Sequence, residues 1–95
     1  MIKHLDIVVQ GKVQGVYYRN STKAVADQLG VRGFVLNGQN NEVIIAAEAD
    51  DMILGIFLDW CNQGPEAARV TALTTTDGEV KNYRNFEVVK KSPVQ

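Results

Sequence analysis

The sequence Gln-Gly-Val-Tyr-Tyr-Arg, at residues 14–19, combines residue types that could bind an anion. It follows an apolar run with the pattern of a strand and precedes a segment with the pattern of a helix. At such a strand-to-helix turn the backbone N–H groups point outward and attract phosphate. The segment therefore predicts a phosphate site. The alternative from the residues alone is a tight turn followed by a helix with a surface arginine.

A second candidate is Asn37, a polar residue at the end of an apolar strand-like run. An asparagine in that place commonly opens a hairpin, because its side chain and its tolerance of positive φ suit tight turns. Taken alone, Asn37 therefore has two interpretations, as a turn residue or as a site residue.

Most other side-chain chemistry is excluded by what the sequence lacks. His4 is the only histidine and Cys61 the only cysteine, and the serines are Ser21 and Ser92. A catalytic triad and a Cys/His zinc cluster both need more such residues, and the Walker and dinucleotide glycine motifs are missing. We expect Cys61 to be a small buried residue of a helix and His4 to be a surface residue of the first strand.

Length and composition indicate a single globular domain over residues 1–95. Ten Lys and Arg against eleven Asp and Glu give a net charge of −1, so the basic excess expected of a nucleic-acid or anionic-membrane protein is missing. A lone cysteine fits a reducing compartment. No stretch approaches the roughly 20 apolar residues of a membrane span. Asp6 lies among the N-terminal apolar residues, whereas a signal peptide has an uninterrupted apolar core. We therefore expect a cytoplasmic protein.

Periodicity predicts a strand and then a helix in the first third of the chain. Apolar and polar residues alternate over residues 4–10, with Val8 as the one apolar exception, and Gly11–Gly15 follows as a turn. Asn20 or Ser21 can cap a helix that runs to Leu29, after which a glycine stands in the usual stop position. The residues expected to face the core are Leu5, Ile7 and Val9 on the strand and Val25, Ala26 and Leu29 on the helix.

Two further strands form a predicted hairpin. The segments Val31–Asn37 and Glu42–Glu48 are separated by Gly38–Asn41, with the sequence GQNN. Asparagine adopts positive φ more readily than most residues that carry a side chain, so it suits such a tight turn. Asn37 would then lie where the first of these strands enters the turn.

A second helix is predicted to begin at Asp50 or Asp51 and to end at Gly64-Pro65. Within it, Gly55 should cost about 1 kcal/mol relative to alanine. Its apolar residues recur at the spacing of one helix face. The residues expected on that face are Ile53, Ile56, Phe57 and Trp60.

The last third predicts two strands and a tail. Arg69–Thr75 is a strand, Asp77-Gly78 lies in a polar loop, Phe86–Val89 is a short last strand, and Ser92–Gln95 is a loose tail. Without the short last strand, the element order corresponds to βαββαβ. Two helices that each need one covered face fit an antiparallel sheet with both helices on one side, which is an α+β sandwich of the ferredoxin-like type.

Two segments resemble the signatures of the acylphosphatase family. The first signature, GxVQGVxFR, is similar to Gly11–Arg19, which has the sequence GKVQGVYYR. The second, G-[FYW]-[AV]-x-N-x-x-D-G-x-V, is similar to Gly33–Val43, which has the sequence GFVLNGQNNEV. Further similar residues are Gly64, Pro65, Ala68, Val70 and Phe86. The resemblance spans nearly the whole chain in order and spacing.

The resemblance implies hydrolysis of the carboxyl-phosphate bond of acyl phosphates, with carboxylate and inorganic phosphate as products and without a metal or other cofactor. It assigns substrate binding to Arg19 and the orientation of the attacking water to Asn37. The residues of the implied amide cradle are Gln14, Gly15, Val16, Tyr17 and Tyr18. It also implies inhibition by inorganic phosphate, and a monomer is expected.

Some positions depart from the family pattern or vary within it. Tyr18 stands where the family usually has Phe and is expected to pack, whereas Tyr17 holds a variable position and is expected to face outward. Gly38 replaces a small hydroxyl residue, which would loosen the positioning of water. Asn40-Asn41 replaces Asp-Gly, and both pairs suit a turn with positive φ. Ile44 replaces a frequent acidic residue with no evident catalytic consequence.

A rival hypothesis is a binding module without catalysis. Arg32–Val35, with the sequence RGFV, is similar to the aromatic strand motif of RNA-recognition modules, which share the βαββαβ order. That motif belongs on the third strand of such modules, but here it falls on the second. The near-zero net charge and the lack of a second aromatic strand also argue against RNA. A small-molecule regulatory domain of the same topology is the other alternative.

Overall fold

A computed structural model describes residues 1–90 of the chain, so the predicted tail at Ser92–Gln95 lies outside the described residues. Seven elements follow one another in the order βαββαββ. They are β1 (Ile2–Lys12), α1 (Tyr18–Leu29), β2 (Arg32–Asn37), β3 (Val43–Asp50), α2 (Asp51–Gln63), β4 (Arg69–Gly78) and β5 (Phe86–Val89). Neither helix within residues 1–90 has the length and apolarity that a membrane crossing requires.

The five strands form one sheet in the order β4-β1-β3-β2-β5. The pairs β4–β1, β1–β3 and β3–β2 are antiparallel, whereas β5 runs parallel to β2. The predicted α+β fold of the ferredoxin-like type is confirmed, but the wholly antiparallel sheet is wrong at β5. Since β4 and β5 lie at opposite edges, residues 79–85 must cross the sheet, and the chain then enters β5 in the direction of β2.

Both helices cover the same face of the sheet, as the sequence predicts. Helix α1 contacts β2 and β5, while α2 contacts β1, β3 and β4. Alternate strand residues and the inner faces of the helices form one buried cluster, which is the hydrophobic core of the described region. Its fully buried members include Ile7, Val9, Val35, Ile45, Ala26, Leu54 and Phe57.

The inner face of α2 is rotated from the predicted one. The buried residues of this helix are Leu54, Phe57 and Cys61, and Ile56 is 49% exposed. Positions i, i+3 and i+7 fit a helical face as well as the predicted set does. Periodicity alone therefore could not decide which apolar stripe contacts the sheet.

The turns and helix ends described next are mostly where the sequence predicts them. Asn40 and Asn41 both have positive φ, of 58° and 61°, in the turn between β2 and β3. Helix α2 begins at Asp51 and is followed by Gly64, whose N–H donates to the Trp60 carbonyl. The predicted loop at Asp77-Gly78 is wrong, because these residues continue β4 and pair with β1.

His4 is buried, which corrects the prediction of a surface residue. Its ring lies on the sheet face opposite the helices, between Glu48 Oε2 at 2.7 Å and Asp6 Oδ1 at 2.9 Å. The crossing segment covers this position, and the backbone N–H groups of Lys81 and Asn82 donate to the Glu48 carboxylate. Ionised carboxylates only accept hydrogen bonds, so a ring between two of them favours the imidazolium form of His4, in which both nitrogens donate.

The same contacts shift two pKa values in opposite directions. Burial alone would lower the pKa of His4 below its usual 6.5, but the hydrogen bonds to Glu48 and Asp6 outweigh it and the pKa is raised. Burial would likewise raise the pKa of Glu48, but the donors from Lys81, His4 and Tyr83 outweigh it and the pKa is lowered. The pair is therefore charged over a wider pH range than the free groups.

This cluster predicts how stability depends on pH. A raised His4 pKa adds stability that is complete below pH 6.5 and is lost as pH rises through the raised value. A lowered Glu48 pKa adds stability that is present above pH 4.5 and is lost in more acidic solution. Urea denaturation from pH 6 to 9 should show a falling free energy of unfolding in the wild type and a flatter profile in His4→Gln. Equal slopes for both proteins would contradict the imidazolium.

Candidate active site

The predicted phosphate-binding segment, residues 14–19, runs from the connection between β1 and α1 into the first turn of α1. Gly15 and Tyr17 both have positive φ, of 73° and 63°. Positive φ at a residue with a side chain carries a conformational cost, so Tyr17 is held there by its surroundings. These conformations turn the backbone sharply just before the first turn of α1.

Helix α1 begins earlier than predicted and lacks the predicted cap. Tyr17 precedes the helix, and within residues 1–90 no side chain caps its first turn. Asn20 and Ser21 lie inside that turn, and the Ser21 N–H already donates to the Tyr17 carbonyl at 3.0 Å. The three N–H groups before Ser21 have no partner within the helix. An uncapped helix start without acidic residues is suited to hold an anion.

The two tyrosines of the segment have the separate positions that the sequence predicts. Tyr18 is buried, its hydroxyl donates to the Cys61 carbonyl, and its ring lies 5.6 Å from that of Trp60. Tyr17 is 79% exposed at the mouth of the site. The Tyr18 contacts fix the start of α1 against α2, so the amide groups beside it are held by packing.

Arg19 lies in the first turn of α1 and reaches the last strand. Its Nη1 donates to the Val89 carbonyl on β5 at 3.3 Å. A guanidinium carries five N–H donors, so this contact can orient the group while other donors face a ligand. Strand β5 therefore helps to position the arginine.

Asn37 is the last residue of β2, opposite Val43 on β3. Its side-chain Oδ1 is buried and has no hydrogen-bond partner among residues 1–90. A buried polar oxygen without a partner is costly, so such an atom in a site is suited to a water or a ligand. The sheet fixes the backbone of Asn37, so its side-chain amide is held at a defined place where a water or a ligand could bind.

A pocket of about 350 Å³ connects these parts. The residues that line it are Val13, Gly15, Tyr17, Tyr18, Arg19, Asn20 and Asn37. Arg19 is the charged residue of this lining, so the pocket is positive although the chain has a net charge of −1. The pocket brings together five of the seven predicted site residues.

Two predicted site residues direct their side chains elsewhere. Val16 belongs to the hydrophobic core, and the Gln14 amide bonds to the turn after β2. Their contribution to a ligand is limited to the backbone. Asn20 lines the pocket but was not predicted, because it was assigned to a helix cap. Its place next to Arg19 at the helix start is the signal that could have identified it.

Cys61 is a buried residue of α2, as predicted. Burial raises the pKa of its thiol to about 12, although the Tyr18 hydroxyl has a smaller opposing effect. A thiol with that pKa is almost entirely protonated at neutral pH and is a poor nucleophile. In the described part of the chain no three His, Cys, Asp or Glu residues are grouped as metal ligands.

Comparison with known proteins identifies one family. The sequence profile of the family described as Acylphosphatase matches residues 5–88. The acylphosphatase of Archaeoglobus fulgidus is 39% identical over 84 residues, which cover 88% of this chain and 94% of that protein. The acylphosphatase of Thermotoga maritima is 40% identical over 87 residues, which cover 92% and 97%.

The fold agrees with this assignment. The crystal structure of acylphosphatase from Bacillus subtilis has a TM-score of 0.89 and 29% sequence identity to this chain. The match covers 94% of this chain and 99% of the other. The family profile, the relatives and the fold together establish that the chain belongs to the acylphosphatase family, whose members hydrolyse acyl phosphates.

Proposed function

We propose that the chain hydrolyses acyl phosphates in the pocket between the β1–α1 connection and the end of β2, without a metal ion. Arg19 and the backbone N–H groups of residues 14–19 hold the phosphate, and Asn37 orients the attacking water. The observation that carries these roles is the buried Oδ1 of Asn37, which has no hydrogen-bond partner in residues 1–90 and lies in the same pocket as Arg19.

The reaction needs little covalent chemistry from the protein. An acyl phosphate is a mixed anhydride with a good leaving group. The water oxygen forms a new bond to phosphorus while the bond between phosphorus and the carboxyl oxygen breaks, and the carboxylate leaves with the electron pair. Positioning and charge stabilisation can supply most of the catalysis of such a phosphoryl transfer.

The proton of the attacking water passes to a phosphate oxygen of the substrate in this proposal. That route fits a lining in which Arg19 is the charged residue and in which neither His4 nor Cys61 takes part. Asn37 can accept a hydrogen bond from the water at Oδ1 and donate from its amide nitrogen. It would therefore hold the water in line with the bond that breaks.

Charge stabilisation falls to the other wall of the pocket. Arg19 presents a planar, permanently charged group that can bind two phosphate oxygens at once, which a lysine cannot reproduce. The N–H groups at the start of α1 would bind the remaining oxygens with the help of the helix dipole. Gly15 suits the close approach of a ligand to the backbone. Inorganic phosphate, as product, would occupy the same donors and inhibit competitively.

We expect a cytoplasmic monomer that forms one acylphosphatase domain over residues 1–95 and binds neither nucleic acid nor membranes. The net charge of −1 and the single cysteine support this. Size-exclusion chromatography and localisation of a tagged protein would test it.

Replacing Asn37 by alanine tests the water-orienting role. We expect kcat for acetyl and benzoyl phosphate, measured with EDTA present, to fall by about a hundredfold, since misplaced reacting groups cost about that much. The inhibition constant of inorganic phosphate should stay close to the wild-type value, because Arg19 and the helix start remain. Phosphate release and competitive inhibition are the measurements.

The matched control is Asn62→Ala, which makes the same change at an exposed residue of α2. It should keep wild-type kcat. Wild-type turnover in Asn37→Ala would contradict the proposed role of this residue, and complete loss of wild-type activity in EDTA would contradict metal independence. If the wild-type protein binds RNA and hydrolyses none of several acyl phosphates, the result would favour the hypothesis of a binding module.

A further inference from the structure

The Gln14 side chain joins the two walls of the pocket. Its Nε2 donates to the Glu42 carbonyl at 2.8 Å and to the Gly38 carbonyl at 3.2 Å. Both acceptors are carbonyl oxygens, so only the amide nitrogen of Gln14 can face them, and this fixes the orientation of the amide. The two bonds span 24 and 28 residues of sequence.

The residues joined by this contact are next in sequence to the two parts of the proposed site. Gln14 directly precedes Gly15 of the phosphate-binding connection, and Gly38 directly follows Asn37. The Glu42 carbonyl also accepts the Gly38 N–H at 2.8 Å, so Gln14 bonds to both ends of one closed turn. The ladder between β1 and β3 ends with the pair Val9–Val43, and the Gln14 amide continues the connection beyond it.

We propose that Gln14 is a positioning residue, which sets the distance and angle between the bound phosphate and the water held by Asn37. This inference rests on the proposed function of the pocket. The phosphate is held by one segment of backbone and the water by another, and in-line attack requires both in register. Gln14 does not touch the substrate with its side chain in this proposal, and it acts through the turn that follows Asn37.

The test is Gln14→Met, which keeps the length of the side chain and removes both donors. We expect kcat to fall by about ten- to a hundredfold and the inhibition constant of inorganic phosphate to change less than twofold. The loss should vanish in the Asn37→Ala background, because no oriented water remains there to misplace. The matched control is Gln28→Met, at an exposed position of α1, which should keep wild-type kcat.

A second variant distinguishes positioning from general damage. Gln14→Glu keeps the shape, but an ionised carboxylate cannot donate and repels the two carbonyl oxygens, whereas the protonated acid can donate once. Its kcat relative to wild type should therefore rise as pH falls, and that of Gln14→Met should not. Circular dichroism and a cooperative urea transition confirm that each variant folds.

The possible outcomes separate this inference from the proposed function. Loss of kcat in Asn37→Ala with wild-type kcat in Gln14→Met would overturn the positioning role alone. A higher phosphate inhibition constant in Gln14→Met, or an undiminished effect in the Asn37→Ala background, would also overturn it, because Gln14 would then act on the phosphate. Unchanged kcat in Asn37→Ala would overturn the proposed function of the pocket.

Discussion

Replacing Arg19 by alanine is expected to lower kcat/KM for acyl phosphates by about a thousandfold or more and to abolish competitive inhibition by inorganic phosphate. Arginine residues that stabilise the charge of a transferring phosphoryl group contribute on that scale. Among the described residues that line the pocket, Arg19 is the charged one, so none of these can replace its charge. Steady-state hydrolysis of benzoyl phosphate with added phosphate measures both effects.

Arg19→Lys is the matched variant for the geometry of the guanidinium. It keeps one positive charge but loses the planar arrangement of donors, so its activity should lie between that of wild type and that of Arg19→Ala. Both variants should unfold cooperatively in urea, since the Val89 contact that they alter is a single hydrogen bond of 3.3 Å. Retained phosphate inhibition in Arg19→Ala would contradict the binding role.

The largest expected effect on stability comes from Gly33→Ala. Gly33 has φ of +143°, and a Cβ atom on it would lie 1.8 Å from the Ala46 carbonyl oxygen on β3. Strand β2 is paired on both sides, with β3 and β5, so it cannot move away. Backbone strain and overpacking each cost ~1–3 kcal/mol, and we expect a loss of at least about 3 kcal/mol in the free energy of unfolding. Urea denaturation measures it.

Gly55→Ala is the control with the opposite sign. Gly55 lies in the interior of α2 and is exposed, and apart from its neighbours along the chain and the backbone of the helix itself, no heavy atom of residues 1–90 lies within 4 Å of a Cβ placed on it. Alanine should therefore stabilise the protein by about 1 kcal/mol, through helix propensity alone. Equal effects of the two substitutions would contradict the tight contact between β2 and β3 at Gly33.

The sequence predicted the local features of the site well. Gly15 and the turn before Arg19 were recognisable because a glycine turn ahead of a helix needs few residue types at short spacing, and phosphate binding there stays a prediction. Asn37 acquired a role only together with that turn, through the family resemblance. Tyr18 as a packing residue and Tyr17 as an exposed one also followed from the positions in the signature, and the structure confirms both.

Features that depend on distant residues could not be predicted. The burial of His4 requires Glu48, which lies 44 residues away, and the segment that crosses to β5. The parallel pairing of β5 with β2 depends on that same crossing. The predicted cap at Asn20 or Ser21 was wrong because local propensity favoured a capped helix, whereas tertiary contacts of Tyr18 start the helix earlier. The acceptors of the Gln14 amide were likewise invisible in the sequence.

The contact between Arg19 and the Val89 carbonyl makes the phosphate site depend on the docking of β5. It joins residues 70 positions apart, so the arginine reaches its working orientation only after the last described strand has docked. Forming this contact closes a long loop of chain, which carries an entropic cost that the folded protein must offset. Phosphate would thus bind the native state and not the unfolded chain, and by mass action it would stabilise the native state. The increase in the free energy of unfolding that phosphate produces therefore reports whether β5 is docked on β2.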